Sequence, residues 1–192
     1  GAAALFKEEE KTYYPLTFEQ VYKPTIWGGE LLQKLPRTLP ESSMPIGESW
    51  EIVDRPDDQS CVEAGPLAGK SLRELIQADP EGIVGDGHQA NQPFPLLMKI
   101  IDAGQDLSLQ VHPDEETCKY IEGAEPKTEM WYVLDHKPEA EILTGIQEGV
   151  SAEQFRESVN DPNVKDLMHS YTSEQGQSFF IKATTMHAIG GG

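Results

Sequence analysis

The sequence is poor in cysteine, in positive charge and in long apolar runs, and each shortage excludes a class of function. Two cysteines among 192 residues, Cys61 and Cys118, stand far apart without a CxxC spacing. Neither a disulfide framework nor a thiolate zinc site can be built from them. Fifteen Lys and Arg face 33 Asp and Glu, for a formal net charge of −18. Nucleic acids and anionic membranes are recognised by clustered cations, so both are excluded as partners. No apolar stretch approaches the roughly 20 residues that span a bilayer. The opening GAAALFKEEEK is too short and too acidic for a secretory signal. Free thiols and no leader together predict a cytoplasmic protein.

What is present is a globular core broken at short intervals. Three Trp, six Tyr and six Phe run through the chain, and a chain of this length buries roughly 70% of its unfolded surface. Fourteen Pro and seventeen Gly leave little room for long helices. Short apolar runs bounded by turn residues predict strands at 50–53, 95–101, 107–112, 129–134, 141–144 and 178–183. Such a series makes the fold mainly β, an antiparallel sandwich or barrel. Helix starts are few. Ser71 with Glu74 and Ser151 with Gln154 are capping boxes, the first helix stopping at Asp79 and Pro80. A third helix is expected from Pro113, with Gly123 as its stop. Residues 35–45 and 82–95 read as loops. No boundary is visible, which predicts a flexible terminus over residues 1–14, with its acidic run at 8–10, and one domain over 15–192.

Chemistry concentrates in three segments. In LSLQVHPDEE (107–116) a period of two separates Leu107, Leu109 and Val111 from Ser108, Gln110 and His112. In KTEMWYVL (127–134) the same parity places Lys127, Glu129 and Trp131 on one face. A solvated strand with a surface ion pair would look the same. IKATTMHAIGGG adds His187, expected at a strand end before a glycine turn. If these faces converge, two imidazoles, a carboxylate and the amide oxygen of Gln110 suit Zn²⁺ in a catalytic site, and Fe²⁺ accepts the same two-His, one-carboxylate set.

LSLQVHPDEE, KTEMWYVL and TTMHAIGGG, in this order after YKPTIWGG and GESWEI, resemble the type I phosphomannose isomerases, in particular their short bacterial and archaeal branch. The resemblance runs from about Pro15 to the last residue. It implies a cupin-type β-jelly roll with a few short peripheral helices, holding one Zn²⁺ per chain. The implied reaction interconverts mannose 6-phosphate and fructose 6-phosphate through a cis-enediol. Gln110, His112, Glu129 and His187 match the family's metal ligands, and Lys127 its active-site lysine. Ser108 and Lys99 match residues that contact the substrate phosphate, while Trp27 and Glu48 fall in upstream motifs of the substrate site. Trp27 also suits a core position, and Glu48 can orient a neighbour.

The family continues past the segment matching His187 with further strands, a second β domain and an active-site Arg. The expectation is therefore a fragment, with the strand at His187 left as an unpaired edge. Two alternatives stay open, a non-catalytic metal-binding cupin that holds sugar phosphates and an iron-dependent cupin oxygenase. Either way the partner is a small sugar phosphate or related molecule, and the number of chains in the assembly stays open. His88, His136 and His169 read as solvated, and Cys118 as packing.

Overall fold

The structure is a computed structural model that describes residues 13–192. The acidic run at 8–10 lies outside the described residues. Tyr13 and Tyr14, assigned to the terminus, are anchored: Tyr13 donates to Asp79 Oδ2 (2.9 Å) and Tyr14 to the Ala64 carbonyl (2.9 Å). The chain divides into two compact units, one taking residues up to Lys23 and Glu48–Ile101, the other Pro24–Gly47 and Asp102–Gly192. No linker marks the division, because the chain passes between the units inside short segments, twice within a strand.

The first unit carries most of a three-stranded sheet, β1 (Val21–Pro24), β2 (Ile46–Ile52) and β3 (Met98–Ile101), in the order β1-β2-β3. β2 and β3 are antiparallel, with Glu48 opposite Ile101 and Trp50 opposite Lys99. Helix α1 (Leu72–Ala78) starts at the expected capping box, the Ser71 side chain accepting from Glu74 N and the Glu74 side chain from Ser71 N. Such a cap contributes about 1 kcal/mol. Asp79 ends α1 but does not end helical structure. Its side chain accepts from Gly82 N and, with Pro80 at the first position, starts a second helix, α2 (Pro80–Ile83). Val53, Val62, Leu72, Leu75 and Ile76 are buried here.

The second unit holds α3 (Glu115–Cys118), β4 (Glu129–Tyr132), β5 (Glu141–Ile146), α4 (Ala152–Ser158), β6 (Met168–Thr172), β7 (Ser178–Ile181) and β8 (His187–Ile189). β4 pairs with β7, and a second sheet runs β6-β5-β8, all antiparallel. Two apolar clusters fix them. Val133, Ile142, Phe179 and Ile181 form one, with Trp131 against it; Leu143, Phe155, Val164, Met168 and Ala188 form the other, with Leu109 against it. Fully burying a side chain of this size contributes about 1.5–3 kcal/mol. α4 begins at the predicted Ser151–Gln154 box.

Several expectations are corrected. Residues 107–112 are not a regular strand. Gln110 and His187 form an isolated antiparallel bridge, and Leu107 N donates to the Ile189 carbonyl. Three steps along this segment thus match two along β8, a one-residue slip that breaks the ladder. β8 is flanked by β5 and by this segment, so it is not the unpaired edge expected of it. His187 opens β8 rather than closing a strand. α3 begins after Asp114, whose side chain accepts from Thr117 N, not at Pro113. It ends at Cys118, and Gly123 sits beyond it in a turn at φ +74°. β1 and β6 were not foreseen. β1 is only four residues long, and β6 (MHSYT) buries only Met168, so neither shows a clear apolar pattern.

Candidate metal centre

The parity read from KTEMWYVL holds on β4. Lys127, Glu129, Trp131 and Val133 are partly or fully buried, whereas Thr128, Met130, Tyr132 and Leu134 are exposed. Register with β7 fixes this choice, because Trp131 lies opposite Phe179, itself a core residue. His187 arrives from β8 and is 3% exposed. The bridge between Gln110 and His187 puts these two side chains on one side of the pair. Gln110 donates its amide Nε2 to Ser108 Oγ (3.2 Å), which keeps the carboxamide oxygen available as a ligand atom. His112 follows two residues later.

These segments bring His112, Glu129 and His187 together, one nitrogen or oxygen of each lying within 4.8 Å of the others. Glu129 Oε2 is 3.2 Å from Nε2 of His112 and 3.2 Å from Nε2 of His187. Lys127 Nζ approaches the other oxygen, Oε1, to 3.1 Å, and His112 Nε2 to 3.3 Å. Two parts of the environment set the protonation of this cluster. Burial alone would raise the Glu129 carboxyl, but the Lys127 ammonium beside it outweighs burial and holds it below the usual carboxylate range. Burial first, and Lys127 second, keep the His112 ring below the usual imidazole range despite Glu129. At neutral pH the pair is therefore a carboxylate facing an uncharged imidazole.

His187 Nδ1 lies 2.8 Å from the Thr185 carbonyl oxygen, which can only accept. Nδ1 therefore carries the proton, and in the neutral ring Nε2 presents a lone pair. That lone pair faces Glu129 Oε2, and both atoms are buried without a hydrogen-bond partner. Two acceptors facing each other in a buried site are repulsive unless a cation lies between them. The spacing suits one, since ligands of a tetrahedral Zn²⁺ at about 2.0–2.1 Å sit about 3.3 Å apart. The donor set therefore fits a divalent metal.

The other expected site residues fall in two places. Trp27 belongs to the second unit, where its ring lies over Gly47. A Cβ on Gly47 would come within 2.8 Å of Trp27 Cζ3 and 2.0 Å of Thr25 Oγ1, so this glycine is required by close approach. Lys99 and Glu48 pair with each other in the first unit at 3.0 Å. Trp50 Nε1 donates to the second Glu48 oxygen (2.6 Å), and Lys23 Nζ stands 4.5 Å above the Trp50 ring. Trp50 and Lys23 were not singled out from the sequence, although alternation along GESWEI puts Trp50 on the face of Glu48. Trp131 lies on the same face of β4 as Glu129. Its ring meets His187 edge-on, with centroids 5.4 Å apart.

Comparison with known proteins follows the same line. Residues 16–157 match the family described as phosphomannose isomerase type I, catalytic domain. The chain is 34% identical over 178 residues to the probable mannose-6-phosphate isomerase GmuF of Bacillus subtilis, covering 92% of this chain and 55% of that protein. It is 36% identical over 182 residues to the mannose-6-phosphate isomerase ManA of the same organism, covering 94% and 56%. The crystal structure of the mannose 6-phosphate isomerase from Bacillus subtilis superposes with a TM-score of 0.80 at 32% identity, over 92% of this chain and 55% of that one. The fold is thus the expected cupin-type jelly roll, and the chain spans about half the length of the curated relatives it matches.

Proposed function

Because this chain belongs to the type I phosphomannose isomerases, we propose that it contributes the metal-binding catalytic part of a cytoplasmic isomerase interconverting mannose 6-phosphate and fructose 6-phosphate. The single observation that carries the reading is the buried meeting of Glu129 Oε2 with the His187 Nε2 lone pair at 3.2 Å. His112, Glu129, His187 and the Gln110 carboxamide would hold the ion, which is Zn²⁺ on the preference of two neutral imidazoles and a carboxylate. A bound divalent cation supplies Lewis-acid stabilisation for oxygen charge that develops as the sugar enolises.

The chain's own residues supply the rest. Conversion of the aldose removes the proton from C2 and returns it to C1, while a hydroxyl proton passes from O2 to O1. Atoms and electrons therefore balance without a co-reactant, through a cis-enediol. Lys127 is the proton carrier in this reading, because its ammonium side chain lies beside two ligand side chains and is 39% exposed toward solvent. Ser108 and Lys99 are assigned to the phosphate, and Trp27 and Glu48 to the substrate site. An anionic substrate approaching a chain of net charge −18 needs such local cations.

The test is a coupled assay for fructose 6-phosphate, run on chelated and on zinc-restored protein. Turnover that disappears on chelation and returns with zinc supports the reading, and zinc-loaded, folded protein that neither turns over nor binds mannose 6-phosphate overturns it. A Lys127→Met variant should lose at least about a hundredfold in kcat. Full activity in that variant removes Lys127 from its role.

A further inference from the structure

The turn at residues 182–186, between β7 and β8, touches every segment that bears a carboxylate or imidazole of the metal centre. Thr184 N–H donates to the carbonyl of His112 (2.7 Å). Ala183 N–H donates to Thr128 Oγ1 (3.3 Å), one residue before Glu129. The Thr185 carbonyl accepts from His187 Nδ1 (2.8 Å), while Thr185 N–H closes the turn on the Lys182 carbonyl (3.2 Å). Met186 ties the turn to β5 through its carbonyl, which accepts from Gly145 N–H (2.8 Å). Three of these five bonds reach ligand-bearing segments, so one turn spaces all three of them.

The backbone conformation at the centre of this hub is unusual. Thr184 has φ +67°, in the left-handed region, which a β-branched residue adopts only under strain. In this conformation its N–H meets the His112 carbonyl and the next residue's carbonyl meets the His187 ring.

We propose that Thr184 is a positioning residue, which through this turn fixes the relative placement of His112, Glu129 and His187 before any metal arrives. The inference rests on the metal-site reading above. It predicts that metal affinity depends on a residue that is not itself a ligand, as outer partners of metal ligands commonly do.

The test is a cobalt(II) titration of the chelator-stripped full chain, reading affinity and the visible d–d spectrum. Thr184→Gly keeps the N–H and adopts positive φ without strain, so affinity should stay within about threefold and the spectrum should be unchanged. Thr184→Pro removes the N–H and fixes φ near −65°. It should lose about ten- to a hundredfold in affinity with an altered spectrum. A folded Thr184→Pro protein with unchanged affinity and spectrum overturns the proposal, and so does a Thr184→Gly protein that loses as much as the proline variant. Should the proline variant not fold, Thr128→Val decides. It should lose about tenfold in affinity and Thr128→Ser should restore it, whereas unchanged affinity overturns the proposal. Wild-type protein that binds no cobalt overturns the metal-site reading itself, an outcome distinct from all of these.

Discussion

Glu48 and Glu129 invite comparison because they share so much. Each side chain is 14% exposed, and each has a lysine at about the same distance from one oxygen, 3.0 Å for Lys99 and 3.1 Å for Lys127. They differ at the second oxygen. On Glu48 it accepts from the Trp50 indole at 2.6 Å; on Glu129 it faces two imidazole nitrogens and has no hydrogen-bond partner. Burial and a neighbouring lysine therefore do not distinguish a carboxylate whose oxygens are both satisfied from one that awaits a cation. The state of the remaining lone pair does, because a self-satisfied cluster has no further need of a cation.

Breaking the Glu129 cluster should have the largest effect. Glu129→Ala should weaken zinc binding more than about a hundredfold, beyond the cost of losing an outer partner, whereas Glu48→Gln should leave zinc affinity within about threefold. Competition titrations with a chromophoric chelator compare the two directly.

Acid should separate the same residues. The Glu129 carboxyl is held below its ordinary range in the folded protein by the Lys127 ammonium. The stabilisation it gains from Lys127 is complete above its ordinary range and is lost as pH falls through the lowered value. The His112 ring, also depressed, adds stability above its ordinary range that is lost as pH falls through its lowered value. Urea melts of metal-free protein between pH 7 and 2 should show this acid loss, and Glu129→Gln should flatten its lowest part.

Supplying the ion should sharpen the contrast further. Zinc at a hundred times its Kd should add about 2.7 kcal/mol to stability, a rise in Tm of about 5–10 °C for a chain of this size. Glu129→Ala should keep at most about 0.4 kcal/mol of that gain, and Glu48→Gln should show all of it. The smallest effect expected is from Trp50→Phe, which removes one indole donor and should cost about 1 kcal/mol in a denaturant melt.

How far these two clusters could be read from the sequence follows from their geometry. Glu129 and Lys127 sit on a regular strand whose period of two survives folding, so their shared face was legible. The two capping boxes were legible for a similar reason, since Ser71 and Glu74 act within one helical turn. The Glu48–Lys99 pair was not, because it depends on which strand β3 pairs with, and Trp50 opposite Lys99 is a matter of register. The contact of Thr184 with His112 was equally hidden, since a positive φ at a threonine contradicts its local preference and is imposed by tertiary bonds. Residues 107–112 show the reverse case. Their alternation is clear in sequence and burial follows it through Gln110, but Val111 is 51% exposed.

The edge-on contact between Trp131 and His187 makes the protein its own optical sensor. Of the three tryptophans, Trp27 lies over Gly47 and Trp50 is bonded to Glu48, whereas Trp131 has its ring centroid 5.4 Å from that of a proposed ligand. Loading the centre changes the charge and motion of that imidazole, so indole emission should report occupancy in real time, with no added dye and no substrate.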